Sequence, residues 1–161
     1  MGQIKDTSRP KECEGFMGNL VSVHVYRNNK DEIICIPHVL DEDGILRNVN
    51  MPQITSVIMG ESDIGNKVLT SIKDCIGKRF NKEELQIPVY EKASGKKWGA
   101  FFKDSICVII EMSSSGYMIY STTKNNKYKS FEDFQIVRQL PLDSSSKVIG
   151  IEVLNAFNHC L

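Results

Sequence analysis

Cys35 and His38 have two residues between them, a spacing found in metal sites and in thiol–imidazole pairs. A structural zinc needs four ligands. The adjacent pair His159-Cys160 falls on the last turn of a C-terminal helix and is not positioned to complete such a set, so no metal is expected. A nucleophilic Cys/His pair requires a polar, partly exposed thiol. Cys35 and Cys107 instead alternate with apolar neighbours, which predicts buried, inert thiols. His24 lies on the strand face opposite Val23 and Val25 and reads as a surface histidine. No glycine-rich phosphate loop follows a strand, because Gly65 and Gly150 are lone glycines inside helical patterns. No catalytic constellation or cofactor cradle emerges, and the chain reads as a binding module rather than an enzyme.

Three features could meet a partner. Asp41-Glu42-Asp43-Gly44 places three carboxylates on one loop, which is either an ordinary solvated turn or a partner-facing acidic patch. Trp98-Gly99-Ala100-Phe101-Phe102 is the most aromatic stretch. It reads as core filler over the second sheet edge, while an exposed Trp98 would anchor a partner. Lys124, Lys127 and Lys129 with Tyr128 form a basic loop able to touch phosphate. General nucleic-acid binding is not expected, since Lys+Arg and Asp+Glu both number 20 and leave no whole-protein field.

The elements that hold these residues show in periodicity. Ile64, Val68, Leu69, Ile72, Cys75 and Ile76 recur at steps of three and four, and so do Ile149, Val153, Leu154, Phe157, Cys160 and Leu161. Both segments fit the frame I-G-x-x-V-L-x-x-I/F-x-x-C-I/L and predict two amphipathic helices, the second running to the final residue. Each carries a glycine early in the pattern, where glycine costs roughly 1 kcal/mol against alanine. Close approach of another backbone, that of the preceding strand, would explain both. Ser62 with Asp63, and Asp143 with Ser144 to Ser146, supply oxygens for the helix entries.

An offset of 85 relates the two helices, and the same offset lays Val21, Val23 and Val25 on Ile106, Val108 and Ile110, and Ile34 on Ile119. The expected fold is a single α+β domain of two pseudo-repeated strand-strand-strand-helix units, about 15–77 and 98–161, with mainly antiparallel sheet and helices packed on it. Residues 1–14 read as a flexible tail and 78–97 as a connection with an extended piece at Leu85 to Tyr90. Leu20 to Tyr26 and Glu32 to Leu40 form a hairpin around Arg27 to Asp31, and Pro37 argues for an edge position or strand end. Gln53 to Met59, Ile106 to Met112, Tyr117 to Thr123 and Phe134 to Leu142 supply further strands.

With 161 residues, 41% hydrophobic and 25% charged, the chain can bury about 70% of its unfolded surface without staples. Cys13, Cys35, Cys75, Cys107 and Cys160 are odd in number and unpaired in spacing, as in reduced core thiols. No apolar run approaches the ~20 residues that span a bilayer, and Asp6 stands where a myristoylation motif wants Ser or Thr. A cytoplasmic, soluble protein is expected.

The cassette LPLDSSSKVIGIEVLNAFNHC and its cousin MGESDIGNKVLTSIKDC resemble the pattern L-P-x-D/S-x-S/T-x-x-x-I/L-G-x-x-V/I-L-x-A/S-L/F/I-x-x-C/S of the immunity proteins of bacterial contact-dependent growth inhibition systems. The lead-in KKWGAFFKDSICVIIE resembles that family too, so the similarity runs from about Gly15 onward. The first cassette lacks the leucine-proline before its cap. The resemblance implies a cytoplasmic protein that binds and neutralises the C-terminal toxin domain of a delivered effector, often a nuclease, as a monomer or weak homodimer. Asp41, Glu42, Asp43 and Trp98 are then the expected toxin contacts. Two other readings stay open. One is a small-molecule binder or enzyme with a cleft between the halves, signalled by a perturbed Cys35, Cys107 or Glu111 there; the other is a self-associating module pairing through a strand edge.

Overall fold

The computed structural model describes residues 21–161. The expectations for the tail, Asp6 and Cys13 lie outside these residues. The chain runs β1 (Val21–Asn28), β2 (Glu32–Leu40), β3 (Leu46–Asn48), β4 (Gln53–Ser56), a 3-10 turn (Val57–Met59), α1 (Glu61–Lys73), α2 (Val89–Ser94), α3 (Trp98–Asp104), β5 (Ser105–Ser113), β6 (Gly116–Asn125), β7 (Ser130–Leu140) and α4 (Ser146–Phe157). This is a mixed α+β domain. Among the described residues seven antiparallel strands form one sheet in the order β3-β2-β1-β5-β6-β7, with β4 also paired to β2, and four helices pack on it.

Strand alternation sends Val23, Val25, Ile33, Cys35, Val108, Ile110 and Ile119 to one face, where Ile64, Val68 and Ile72 of α1 and Ile149, Val153 and Phe157 of α4 bury them. Each such valine or isoleucine taken from water contributes about 1.5–3 kcal/mol. The opposite face carries a smaller core, in which Tyr26, Ile34, Ile36, Cys107 and Ile109 meet Val89 of α2 and Phe101 of α3.

At the centre, β1 pairs β5 so that His24 sits opposite Ile109, 85 positions later in the chain. The helices meet at their glycines. A Cβ on Gly65 would fall 1.7 Å from the Ser146 carbonyl oxygen, and one on Gly150 would fall 1.8 Å from that of Glu61. The backbone that crosses each glycine is therefore the first turn of the other helix, not the preceding strand. Both helices keep their apolar stripes against the sheet, and this forces their N-terminal turns together. Ser145 caps α4 by accepting from the Val148 amide at 3.2 Å. The α1 entry differs from expectation: its cap is Gly60 without a side-chain bond, and Asp63 sits inside the first turn, where it accepts from the Thr55 hydroxyl. A carboxylate there still complements the helix dipole. After Phe157 the chain turns, so α4 stops short of the last residue.

The ungapped pairing of Ile34 with Ile119 does not hold. Three residues separate β1 from β2 while two separate β5 from β6, and Val25 faces Cys35 where Ile110 faces Ile119. The extra turn residue shifts the register by one, which places Ile34 on the second face and makes Cys35 the partner of Ile119. Asp31, at φ 61, absorbs the longer turn and pairs with Arg27 at 2.8 Å.

Pro37 stands in mid-strand with neighbours on both sides, not at an edge. The outer neighbour is broken instead: β4 pairs Glu32 to Cys35 and β3 pairs His38 to Leu40, so the missing N–H falls at the gap between them. Leu85 to Tyr90 is not extended. Pro88 precedes the first residue of α2, where its fixed φ suits a helix start. Trp98, Phe101 and Phe102 share one side of the helix α3 at the three-and-four spacing.

Candidate functional site

Among the described residues the second face is only partly covered, and they leave a groove of about 360 Å³. Its floor comes from alternating strand positions: His24 and Tyr26 of β1, His38 of β2, Asn48 of β3 and Ile109 of β5. Its walls are aromatic, with Tyr90 from α2, Trp98 from α3, and Phe131 and Phe134 from β7. The walls brace one another. Tyr90 meets Trp98 edge-on at 5.0 Å, Trp98 meets Phe131 edge-on at 6.1 Å, and the Trp98 indole N–H donates to the Lys129 carbonyl at 2.8 Å.

His24 and His38 stack with ring centroids 3.7 Å apart and planes 17° from parallel. The His38 Nδ1 lies 3.1 Å from the Ile36 carbonyl oxygen. A carbonyl only accepts, so Nδ1 carries the proton and Nε2 of the neutral ring keeps its lone pair. Tyr26 Oη lies 3.4 Å from His24 Nδ1. Enclosure decides the charge state: burial pushes His38 down to about 4, although the Ile36 bond pulls the other way. Burial, then the neighbouring His38, hold His24 well below the ordinary histidine value. Both imidazoles are therefore neutral at pH 7, and among the described residues none that lines the groove carries a formal charge.

This arrangement cannot chelate one ion through both rings. Ligand lone pairs lie in the ring planes, and near-parallel planes at that separation do not share a metal position. Cys35 and His38, three apart on a strand, point to opposite faces and cannot join in one site. His24 is not the surface histidine expected, because α2, α3 and β7 cover the face its parity selects. Burial raises Cys35 to about 12 and Cys75 to about 11, and it raises Cys107 as well, as inert thiols require. Cys35, Cys107 and Glu111 do not line the groove; among the described residues the titratable groups that do are His24, Tyr26, His38 and Tyr90.

The acidic loop divides into two parts. Asp41 turns inward, its side chain 3% exposed, and accepts from the amides of Asp43 at 2.8 Å and Ile45 at 3.0 Å and from Arg47 at 3.1 Å. The Ile45 amide first, with Arg47 and Asp43, holds its carboxyl below the usual range. Glu42 and Asp43 are exposed, and Asp43 lies 3.7 Å from Lys82. Trp98 belongs to the groove, half-buried. In the basic loop Lys124 is committed inward, donating to the Lys103 carbonyl at 3.0 Å and lying over the Phe102 ring at 4.7 Å.

The groove was the feature that sequence reasoning missed. Its signal was the hairpin register itself, since a turn at Asn29-Lys30 sets Ser22 against His38 and His24 against Ile36, making the histidines diagonal neighbours on one face.

No family model matches the chain, and no curated protein matches it. Among solved structures, it is similar to a protein of unknown function from Neisseria meningitidis, with a TM-score of 0.63 and 17% identity over 89% of this chain and 96% of that one. It is also similar to a chain of the CdiA-CT/CdiI toxin and immunity complex from Yersinia pseudotuberculosis, with a TM-score of 0.58 and 18% identity over 88% of this chain and 98% of that one. Both likenesses are of fold.

Proposed function

We propose that this chain is an immunity protein that binds the C-terminal toxin domain of a contact-dependent growth inhibition effector and neutralises it in the cytoplasm of the producing cell. The observation that carries the reading is the near end-to-end likeness of fold to a chain from a toxin and immunity complex. Two features on the surface suit a stoichiometric binder. The groove offers a wall of aromatic rings of the kind that anchors interfaces, and Glu42 and Asp43 present exposed carboxylates, unlike the inward-turned Asp41. In this proposal the chain is a binder and not an enzyme, and the toxin is a nuclease whose cationic substrate cleft is drawn to the acidic loop.

The experiment is co-expression. The toxin domain of the effector gene adjoining this one is induced in a sensitive host with and without this chain. Growth rescued by this chain, and not by an unrelated immunity protein, supports the proposal; growth arrest unchanged by its presence refutes it.

The groove also supports a second reading, a small-molecule binder. It lies over the junction of β1 and β5, where the two halves of the chain meet, and titratable groups converge there as that reading requires. Binding of a metabolite extract component to the full chain, abolished by substitutions at His38, would favour it.

A further inference from the structure

We infer that the groove on the second face is a receptor for a flat cation, the guanidinium group of an arginine side chain presented by the partner. The inference deepens the proposed function by naming the chemistry of one contact, and it rests on that reading only for the source of the arginine.

Three observations converge on this chemistry. First, the walls present the rings of Tyr90, Trp98, Phe131 and Phe134, whose faces attract a cation within about 6 Å through the ring quadrupole. Second, the floor is electron-rich and uncharged. The Ile36 carbonyl fixes the His38 proton on Nδ1, which leaves Nε2 as an acceptor, and burial, joined for His24 by the His38 ring stacked at 3.7 Å, disfavours the charged form of each ring. Third, among the described residues no lysine, arginine or carboxylate lines the groove, so no lining side chain described repels an incoming cation or already pairs with a charge there. A guanidinium suits this surface better than an ammonium, because its plane stacks on an aromatic wall while its edge carries donors toward the His38 acceptor. A purely apolar side chain would leave that acceptor unpaired in a desolvated site.

The test needs no toxin. The full chain, isotope-labelled, is titrated with N-acetyl-arginine methylamide and separately with N-acetyl-leucine methylamide, while the ring resonances of His24 and His38 and the Trp98 indole N–H are followed by NMR. The same titration is run on Phe134→Leu. That variant keeps apolar area at a residue 52% exposed, so folding is retained, and it removes a π face. The expected result is saturable movement of all three resonances with the arginine derivative at millimolar concentration. The leucine derivative should bind at least tenfold more weakly, and Phe134→Leu should weaken the arginine derivative by threefold or more. The absence of saturable shifts, equal binding of the leucine derivative, or unchanged binding by Phe134→Leu would each overturn the inference. Because the probe is a small molecule, its failure leaves the immunity reading standing, and failure of toxin protection leaves this result standing.

Discussion

Gly150 lies directly beneath the carbonyl of Glu61: a Cβ at position 150 would fall 1.8 Å from that oxygen, far inside any tolerable contact. The same relation recurs 85 positions earlier, where Gly65 faces the Ser146 carbonyl. Each helix thus admits the first turn of the other, and both stripes can reach the sheet only because neither glycine has a side chain.

Substituting alanine at Gly150 separates packing from propensity. On an open helix face the change would stabilise by roughly 1 kcal/mol. Against a fixed backbone carbonyl it is expected to destabilise by about 3 kcal/mol, through separation of α1 and α4. Urea unfolding of Gly150→Ala and Gly65→Ala reads the sign, and a midpoint equal to or above that of the parent chain would rule out the contact.

The histidine stack predicts a pH dependence of stability. Both rings bind protons less readily folded than unfolded, so the unfolded state takes up more protons as pH falls below the ordinary histidine value of about 6.5. Stability should be full above that value and decline as pH falls toward about 4, where His38 also protonates in the folded state. The His38 contribution is about 2 kcal/mol after allowance for its partial exposure. Chemical unfolding of the parent and of His38→Phe between pH 7 and 4.5 measures it. The variant should show a flatter slope, and identical slopes would contradict the assignment.

The acidic loop should respond unequally to substitution. Asp41→Asn is expected to loosen the loop and speed amide exchange at Asp43 and Ile45, whose N–H groups it now receives. Glu42→Ser with Asp43→Ser should leave exchange and stability unchanged. In the immunity reading the double variant instead slows toxin association severalfold and lowers its salt sensitivity. A salt response and association rate unaffected by the double variant would remove the loop from the interface.

Much of this architecture was legible in the chain. The helices were, because Ile64 to Ile76 and Ile149 to Leu161 repeat a stripe over three turns, and so was the first hairpin, with its alternation and Asn-rich turn. The correspondence of β2 with β6 between the halves was not, because one added turn residue exchanges faces without altering the alternating pattern. Nor were α2 and α3 legible, each two turns or fewer and held by tertiary contacts of Val89, Phe101 and Phe102. The groove followed them into obscurity. Parity places His24 on the face away from Val23 and Val25, but only the cover supplied by α2, α3 and β7 turns that face from surface into site.

Thiol reactivity offers an independent check on both cores. Cys35, Cys75 and Cys107 are buried and Cys160 is partly exposed, with its thiol donating to the Cys107 carbonyl at 3.3 Å. Mass mapping after brief iodoacetamide treatment should find the first three unmodified until denaturant is added. Rapid labelling of Cys35 in the native protein would contradict its place beneath α1.

The most direct measurement is calorimetric titration of the purified toxin domain from the adjoining effector gene into this chain, with toxin activity assayed on the mixture. A saturating one-to-one isotherm is expected, with activity lost in proportion to occupancy. A flat isotherm, or full toxin activity at saturating excess of this chain, would contradict it.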